Sequence, residues 1–102
     1  RPNLVWKTHP YNSWNTIQNT NRLEQVSAQF PVLLGEFGPG AFMNQADVDS
    51  LVNYAESRGV SWCGWLFQSA GCPCMFDSVS PTFVENAYGT DIRQRLQSAW
   101  RP

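Results

Sequence analysis

Residues 31–39, Pro-Val-Leu-Leu-Gly-Glu-Phe-Gly-Pro, form the stretch that decides the fold of this chain. Its near-continuous run of apolar residues predicts a strand covered on both faces, as in parallel sheets. Because side chains alternate along a strand, Val32, Leu34 and Glu36 are predicted to share one face. Glu36 then lies at the carboxyl end of a buried strand, where parallel α/β folds carry out their chemistry. The alternative is an ordinary solvated glutamate at the end of a strand.

Two further strands are predicted at similar intervals along the chain. Residues 4–9 form one that ends at His9 before a proline, which removes a backbone donor. Residues 60–67 form another, largely apolar, with Trp65 near its end. His9, Glu36 and Trp65 follow one another at intervals of 27 and 29 residues, close to the ~30 residues of a βα unit. We therefore expect the three side chains at the same carboxyl edge, pointing to one inner side.

Three helices are predicted between and after these strands, and a long loop at residues 68–89. The helices span residues 20–29, 45–58 and 91–100, with Thr20, Asn44 and Thr90 as N-caps and Gly59 after the second helix. Apolar residues at helical spacing predict the buried positions, which are Leu23, Val26 and Ala28, then Val48, Leu51, Val52 and Ala55, then Ile92, Leu96 and Ala99.

The order β-α-β-α-β-α predicts an α/β fold in a single domain, residues 1–102, with about three parallel βα units. A three-stranded parallel sheet has two bare edges and an uncovered inner face. Val5, Val32, Leu34 and Cys63 would be exposed to water on that face. We therefore expect self-association into a homo-oligomer whose copies supply the missing strands.

The composition argues against two classes of partner. Charged residues make up 15% of the chain and the net charge is −1, so no basic surface for nucleic acid or for anionic membranes is predicted. No apolar run approaches the length of a membrane span. The five tryptophans, three tyrosines and six phenylalanines suggest a carbohydrate-binding surface, although core packing is the commoner use of aromatic residues.

The chain has three cysteines, so one must stay unpaired within it. Cys72 and Cys74 flank a proline, and a bridge between them would close a very small ring. We therefore expect Cys63 to pair with Cys72 or Cys74, or else to remain a buried free thiol. A zinc site would need a fourth ligand, and the only histidine, His9, belongs to another strand end. No metal ion and no other cofactor is expected.

The residues expected at the carboxyl edge suit sugar chemistry. Glu36 could attack an anomeric carbon, and Tyr11 could donate a hydrogen bond that orients the carboxylate. His9 could bind a sugar hydroxyl, and Trp65 could stack on a pyranose ring. The alternatives are a strand-end histidine, a tyrosine that packs a loop and a core tryptophan.

Three motifs in order resemble those of the family-5 glycoside hydrolases, the cellulases and endoglucanases. They are His9-Pro10-Tyr11, the run that ends in Gly35-Glu36-Phe37-Gly38, and the strand at residues 62–67. The resemblance implies part of a (β/α)8 TIM barrel, its last three βα units. It also implies that Glu36 is the nucleophile of a retaining hydrolase and that Trp65 lines a sugar subsite. The substrate would be a β-linked glucan or mannan, as polysaccharide or oligosaccharide, and the parent enzyme would be secreted.

One half of that site is absent from the sequence. Retaining hydrolysis uses two carboxyl groups roughly 5 Å apart, a nucleophile and an acid/base. In the family the acid/base belongs to an Asn-Glu pair, and the chain contains no Asn-Glu dipeptide. Glu24 and Glu56 are predicted on helices, and Glu85 in the long loop. We therefore expect a weak or inactive hydrolase fragment, with a non-catalytic carbohydrate-binding or self-assembling half-barrel module as the alternative.

Overall fold

A computed structural model describes residues 3–11 and 17–99, and for residues 17–20 it describes the backbone alone. The chain divides into two compact units, residues 1–64 and residues 65–102, where the sequence predicted a single domain. Within the described part of the chain, no helix is long and apolar enough to cross a membrane.

The first unit contains a three-stranded parallel sheet and two helices. The strands are β1 (Trp6–Thr8), β2 (Val32–Leu34) and β3 (Ser61–Trp62), in the order β1-β2-β3. The helices are α1 (Ile17–Ser27) and α2 (Gln45–Ser57). The predicted parallel βαβαβ arrangement is confirmed here. The third strand ends at Trp62, earlier than predicted, and its pairing with β2 continues for one further hydrogen bond, from the Cys63 N–H to Leu34 O at 2.8 Å.

The burial of Val32 and Leu34 corrects the predicted exposure of one face of the sheet. Trp6 pairs with Val32 and Thr8 with Leu34, and residues paired in this way lie on the same face of a sheet. Val32 and Leu34 are both buried there, so the prediction that water would cover them is wrong, whereas Val5 is exposed. Val32 and Leu34 line one cavity together with Leu23 and Val26 of α1, so this helix lies over their face of the sheet. Alternation within a strand does not reveal which element covers a face.

Helix α2 forms as the sequence predicts, because both of its ends carry local signals. Asn44 accepts a hydrogen bond from the Asp47 N–H, and Asp47 accepts one from the Asn44 N–H, both at 2.9 Å. This reciprocal pair is a capping box. At the other end Gly59 has φ +68°, and the Val60 N–H donates to Ala55 O at 2.8 Å, which makes a Schellman motif.

The core of the first unit lies between α2 and the sheet. All four apolar residues predicted on α2 are buried, which confirms that face. Phe37 is fully buried and its ring packs against Trp62, with the ring centroids 5.9 Å apart. The fully buried side chains of largest volume are Phe37, Leu34, Leu51, Val48 and Val52.

Helix α1 differs from its prediction. It begins at Ile17, so Thr20 lies inside the helix and is not its N-cap. Leu23 is buried, but Val26 and Ala28 are exposed. The reason is incomplete packing, since Leu23 and Val26 line a cavity of about 430 Å³ beside the sheet.

The second unit holds an antiparallel pair of strands and one helix. The strands β4 (Phe76–Ser78) and β5 (Val84–Glu85) pair through an irregular register, within residues that were predicted as loop. They escaped prediction because strands of three and two residues carry no readable alternation. The rings of Phe67, Phe76 and Phe83 pack against one another, with centroids 4.6 to 5.9 Å apart.

Helix α3 (Ala87–Ala99) begins before its predicted start, and Trp100, its predicted last residue, lies outside the described residues. Thr90 is inside the helix. Asn86 takes the capping role, because its Oδ1 accepts a hydrogen bond from the Gly89 N–H at 3.0 Å. Ile92 is buried as predicted. Leu96 is 56% exposed and Ala99 is exposed, contrary to prediction.

The disulfide also differs from the prediction. Cys72 is bonded to Cys74, and Cys63 is an exposed free thiol. The small ring that the sequence disfavoured does form, because the chain turns back at Pro73 and brings the two Cα atoms to 4.2 Å.

Candidate active site

Two strand ends build the site at the carboxyl edge of the parallel sheet. Thr8 is the last residue of β1 and Leu34 the last of β2. The Gly35 N–H donates to Thr8 O at 2.8 Å, so pairing continues for one step beyond the strands. His9 and Glu36 follow directly, and the parallel pairing therefore places them at the same edge.

A tight turn returns Tyr11 toward this edge. The Tyr11 N–H donates to His9 O at 3.0 Å, a three-residue turn about Pro10. The Tyr11 hydroxyl then donates to Glu36 Oε2 at 3.4 Å. At this length the hydrogen bond is near the upper limit for an O–H donor.

Burial and the carboxylate together alter the acidity of Tyr11. Partial burial of the ring, the negative charge of Glu36 and the hydrogen bond to Glu36 raise the pKa of Tyr11 to about 12. Each cause favours the neutral phenol over the phenolate. The phenol is neutral at physiological pH even at its ordinary pKa of 10.0, and the raised pKa extends its role as a hydrogen-bond donor to Glu36 to higher pH.

His9 contacts the same carboxylate oxygen. Its Nδ1 lies 3.6 Å from Glu36 Oε2, an ion pair when the imidazole is protonated. The His9 side chain is 40% exposed and the Glu36 side chain 26% exposed. The two groups are thus held together while a face of each stays open to solvent, as a binding site for a small polar molecule requires.

Lys7 lies beside Gly35, the residue before Glu36, and the sequence alone assigned it no role. Its alkyl chain lies against Gly35, where a Cβ atom would collide with the Lys7 side-chain carbons. Gly35 thus lets the Lys7 chain cross the backbone directly before Glu36. The sequence offered one sign of this contact, since Lys7 is a charged residue that follows three apolar residues in β1 and just before it.

Trp65, the predicted sugar-stacking residue, is the first residue of the second unit. Its indole is 38% exposed, and its Nε1 donates to Gly71 O at 3.3 Å. Among the predicted site residues, the structure brings together His9, Tyr11 and Glu36. The stacking of a sugar on Trp65 stays a prediction, which its partly exposed ring permits.

The other three glutamates have surroundings of their own. Glu85 accepts hydrogen bonds from Arg93 Nε at 2.9 Å and from Thr90 Oγ1 at 2.8 Å. Arg93 and then Thr90 lower the pKa of Glu85, so its carboxyl group is held ionised. Glu24 is paired with Arg58 at 3.0 Å, and Glu56 is exposed on α2.

Comparison with known proteins supplies a structural likeness. No protein-family model matches the sequence, and no curated protein sequence matches it. The native form of the β-glucanase SdGluc5_26A from Saccharophagus degradans matches with a TM-score of 0.80 and 18% identity. The same β-glucanase in complex with cellotetraose matches with a TM-score of 0.76 and 18% identity. Each match covers 97% of this chain and 35% of that chain.

The chain has a β-glucanase-like α/β fold. It spans about a third of the length of the glucanase that it resembles. At this identity the likeness is one of fold, and a shared fold does not determine the chemistry of a site.

Proposed function

We propose that this chain carries the nucleophile half of a retaining β-glycoside hydrolase site. The observation that supports the proposal is the contact of Tyr11 and His9 with one oxygen of Glu36, at the carboxyl edge of a parallel sheet. A hydrogen-bond donor on one carboxylate oxygen orients the group and leaves the other oxygen for attack. Carboxylate nucleophiles of glycosidases work by forming a covalent glycosyl intermediate.

Glu36 is the proposed nucleophile, and Tyr11 is the residue that positions it. The Tyr11 hydroxyl is protonated at physiological pH and able to donate, and the raised pKa of Tyr11 widens the pH range over which it can do so. His9 has an exposed ring at the same edge and is the proposed ligand of a sugar hydroxyl. Trp65 is the proposed platform on which a pyranose ring stacks.

The chain would supply the nucleophile without the acid. Glu85 is held ionised by Arg93 and Thr90, and a carboxylate cannot protonate a leaving group. Glu24 is paired with Arg58, and Glu56 is exposed on a helix. We therefore expect very slow cleavage of ordinary β-linked glucans or mannans, whose leaving groups need a proton.

An activated substrate separates the nucleophile from the missing acid. The leaving group of 2,4-dinitrophenyl β-cellobioside departs without protonation, so Glu36 alone would be enough to form the glycosyl intermediate. We expect release of about one equivalent of dinitrophenolate, a matching gain in protein mass and faster turnover with azide, which attacks the intermediate without a general base.

The matched control variants are Glu36→Gln and Glu56→Gln, which remove the same charge from the site and from an exposed position on α2. Release and mass gain should vanish with Glu36→Gln and persist with Glu56→Gln. A stoichiometric release that survives Glu36→Gln would show that another group is the nucleophile.

A second candidate function is binding of β-linked oligosaccharides without cleavage. The exposed indole of Trp65 favours it, and the structural neighbour was obtained in complex with cellotetraose. Titration with cello-oligosaccharides, followed by tryptophan fluorescence, measures such binding. Equal responses from the unmutated chain and from Trp65→Ala would remove the stacking role.

We also propose that the chain self-associates. β1 lies at the edge of its sheet, and Leu4, Val5 and Trp6 are all more than half exposed on or beside it. Bare edges and exposed apolar residues favour pairing between copies, which would make this a self-assembling module. Size-exclusion chromatography with light scattering tests this, and a stable monomer at micromolar concentration would contradict it.

We also propose that the parent enzyme is secreted, which would agree with a β-glucan substrate outside the cell.

A further inference from the structure

The indole of Trp65 is attached to a short turn formed by residues 71–74. Trp65 Nε1 donates to Gly71 O at 3.3 Å. The backbone of Leu66 pairs with the same turn and the residue after it, since the Leu66 N–H donates to Pro73 O at 2.6 Å and the Met75 N–H donates to Leu66 O at 3.1 Å. The Trp65 indole and the backbone of Leu66 are therefore both hydrogen-bonded to the turn at residues 71–74.

A disulfide closes this turn. Cys72 and Cys74 are bonded to each other with only Pro73 between them. Gly71, the residue directly before this disulfide, has φ +77°, a conformation that favours glycine. Cys72 is exposed and Cys74 is buried. The bond thus restricts the backbone at the carbonyl that accepts from the indole, and one of its sulfur atoms belongs to a residue that solvent reaches.

The far side of the turn is anchored to helix α3. Asn86 Nδ2 donates to Cys74 O at 2.7 Å, and the Asn86 N–H donates to Met75 O at 3.1 Å. The same Asn86 caps α3 through the Gly89 N–H. The turn is therefore anchored to the helix at Cys74, and it accepts the hydrogen bond of the Trp65 indole at Gly71.

We propose that the Cys72–Cys74 disulfide positions Trp65 as a sugar platform. With the bond closed, Gly71 O stays where it accepts from Nε1, and the indole face keeps one orientation. With the bond open, the turn gains backbone freedom and the hydrogen bond to the indole weakens. This inference rests on the proposed function for the stacking role of Trp65, whereas the hydrogen bond itself does not depend on any sugar.

The first experiment measures the hydrogen bond without a sugar. All samples carry Cys63→Ser, so that the disulfide is the only redox-active group. In ¹⁵N-labelled protein, the Trp65 indole N–H signal is assigned by its loss in Trp65→Phe. A water-soluble phosphine then reduces the folded protein. The phosphine takes an oxygen atom from water and becomes a phosphine oxide, and the disulfide gains two electrons and two protons to give two thiols.

We expect exchange of the Trp65 indole hydrogen to become about tenfold faster on reduction, while the Trp62 indole hydrogen keeps its rate. The variant with Cys72→Ser and Cys74→Ser should match the reduced protein. If this variant does not fold, reduction of the folded protein still decides the result. An unchanged Trp65 exchange rate after complete reduction would overturn the proposal.

The second experiment measures binding of cello-oligosaccharides by tryptophan fluorescence, before and after reduction. We expect affinity to fall about tenfold on reduction, by loss of a pre-oriented stacking face. Unaltered affinity after a proven loss of the indole hydrogen bond would overturn the role in sugar binding. Absence of binding in the oxidised protein would count against the proposed function, and the exchange measurement would still decide whether the disulfide positions Trp65.

Discussion

Removal of the Glu36 charge should lower the pKa of Tyr11. Burial, the Glu36 charge and the Glu36 hydrogen bond raise that pKa from 10.0 to about 12. The substitution Glu36→Gln eliminates the second cause and weakens the third, but it leaves burial. Two unit charges about 4 Å apart near a surface interact by roughly 1 to 4 kcal/mol, and one pKa unit is about 1.36 kcal/mol. Since the site is partly open to solvent, we expect a fall of about one unit.

The assay is a spectrophotometric titration of the phenolate near 295 nm. Because the chain has three tyrosines, the curve of a Tyr11→Phe protein is subtracted to isolate Tyr11. The same subtraction is made in the Glu36→Gln background. Glu56→Gln is the matched control, since it removes an equal charge from an exposed position, and it should leave the pKa of Tyr11 where it was.

The titration also has a consequence for stability. The folded-state pKa of Tyr11 lies above its unfolded value, so its contribution to the free energy of unfolding is complete below pH 10 and is lost as the pH rises toward 12. A shift of two units corresponds to at most about 2.7 kcal/mol, and solvent screening of the exposed part of the ring reduces this to about 1 kcal/mol. An identical pKa of Tyr11 in the parent and in Glu36→Gln would refute the contact on which the proposed site is built.

Three further predictions concern the scaffold, and urea unfolding measures each. Asn44→Ala removes the cap of α2 and should cost about 1 kcal/mol of unfolding free energy; an unaltered midpoint would contradict the capping box. Gly89→Ala should destabilise the second unit by about 1 to 3 kcal/mol, because the new Cβ would meet Met75 O, whereas a gain in stability would disprove that close approach. Leu34→Ala should cost about 2 to 5 kcal/mol in the buried sheet. Leu96→Ala, at an exposed position, should cost well under half as much, and equal losses would contradict the observed burial.

If Glu36 is the nucleophile, as we propose, the lack of an acid partner would give the site a specific chemical character. A carboxylate nucleophile without an acid partner reacts with activated glycosides and stalls at the covalent intermediate. Glu85 does not suit the role of the acid, since Arg93 holds its carboxyl group in the ionised form. On the proposed function, a carboxylic acid from another source would be needed to complete the site.

Local signals in the sequence were enough to predict several elements. Asn44, Asp47 and Gly59 define the ends of α2, because capping and positive φ act within one turn of the chain. The buried run at residues 31–39 predicted a parallel strand, and the spacing of strand ends predicted the shared edge of His9 and Glu36. These features depend on periodicity and on residue chemistry within about 30 positions, which a single sequence displays.

Other features were decided by contacts between distant parts of the chain. Leu34 is fully buried, although the sequence predicted that its face would be open to water, because the side chains of α1 lie over that face and the packing of a helix on a sheet is a tertiary property. The turn at Pro73 joined Cys72 to Cys74, since the geometry of the turn rather than the ring size sets the distance between the cysteines. The sequence by itself determined where Glu36 stands along its strand. Only the tertiary structure decided that Tyr11 and His9 meet the same carboxylate oxygen, because a turn and a sheet register had to combine to bring them there.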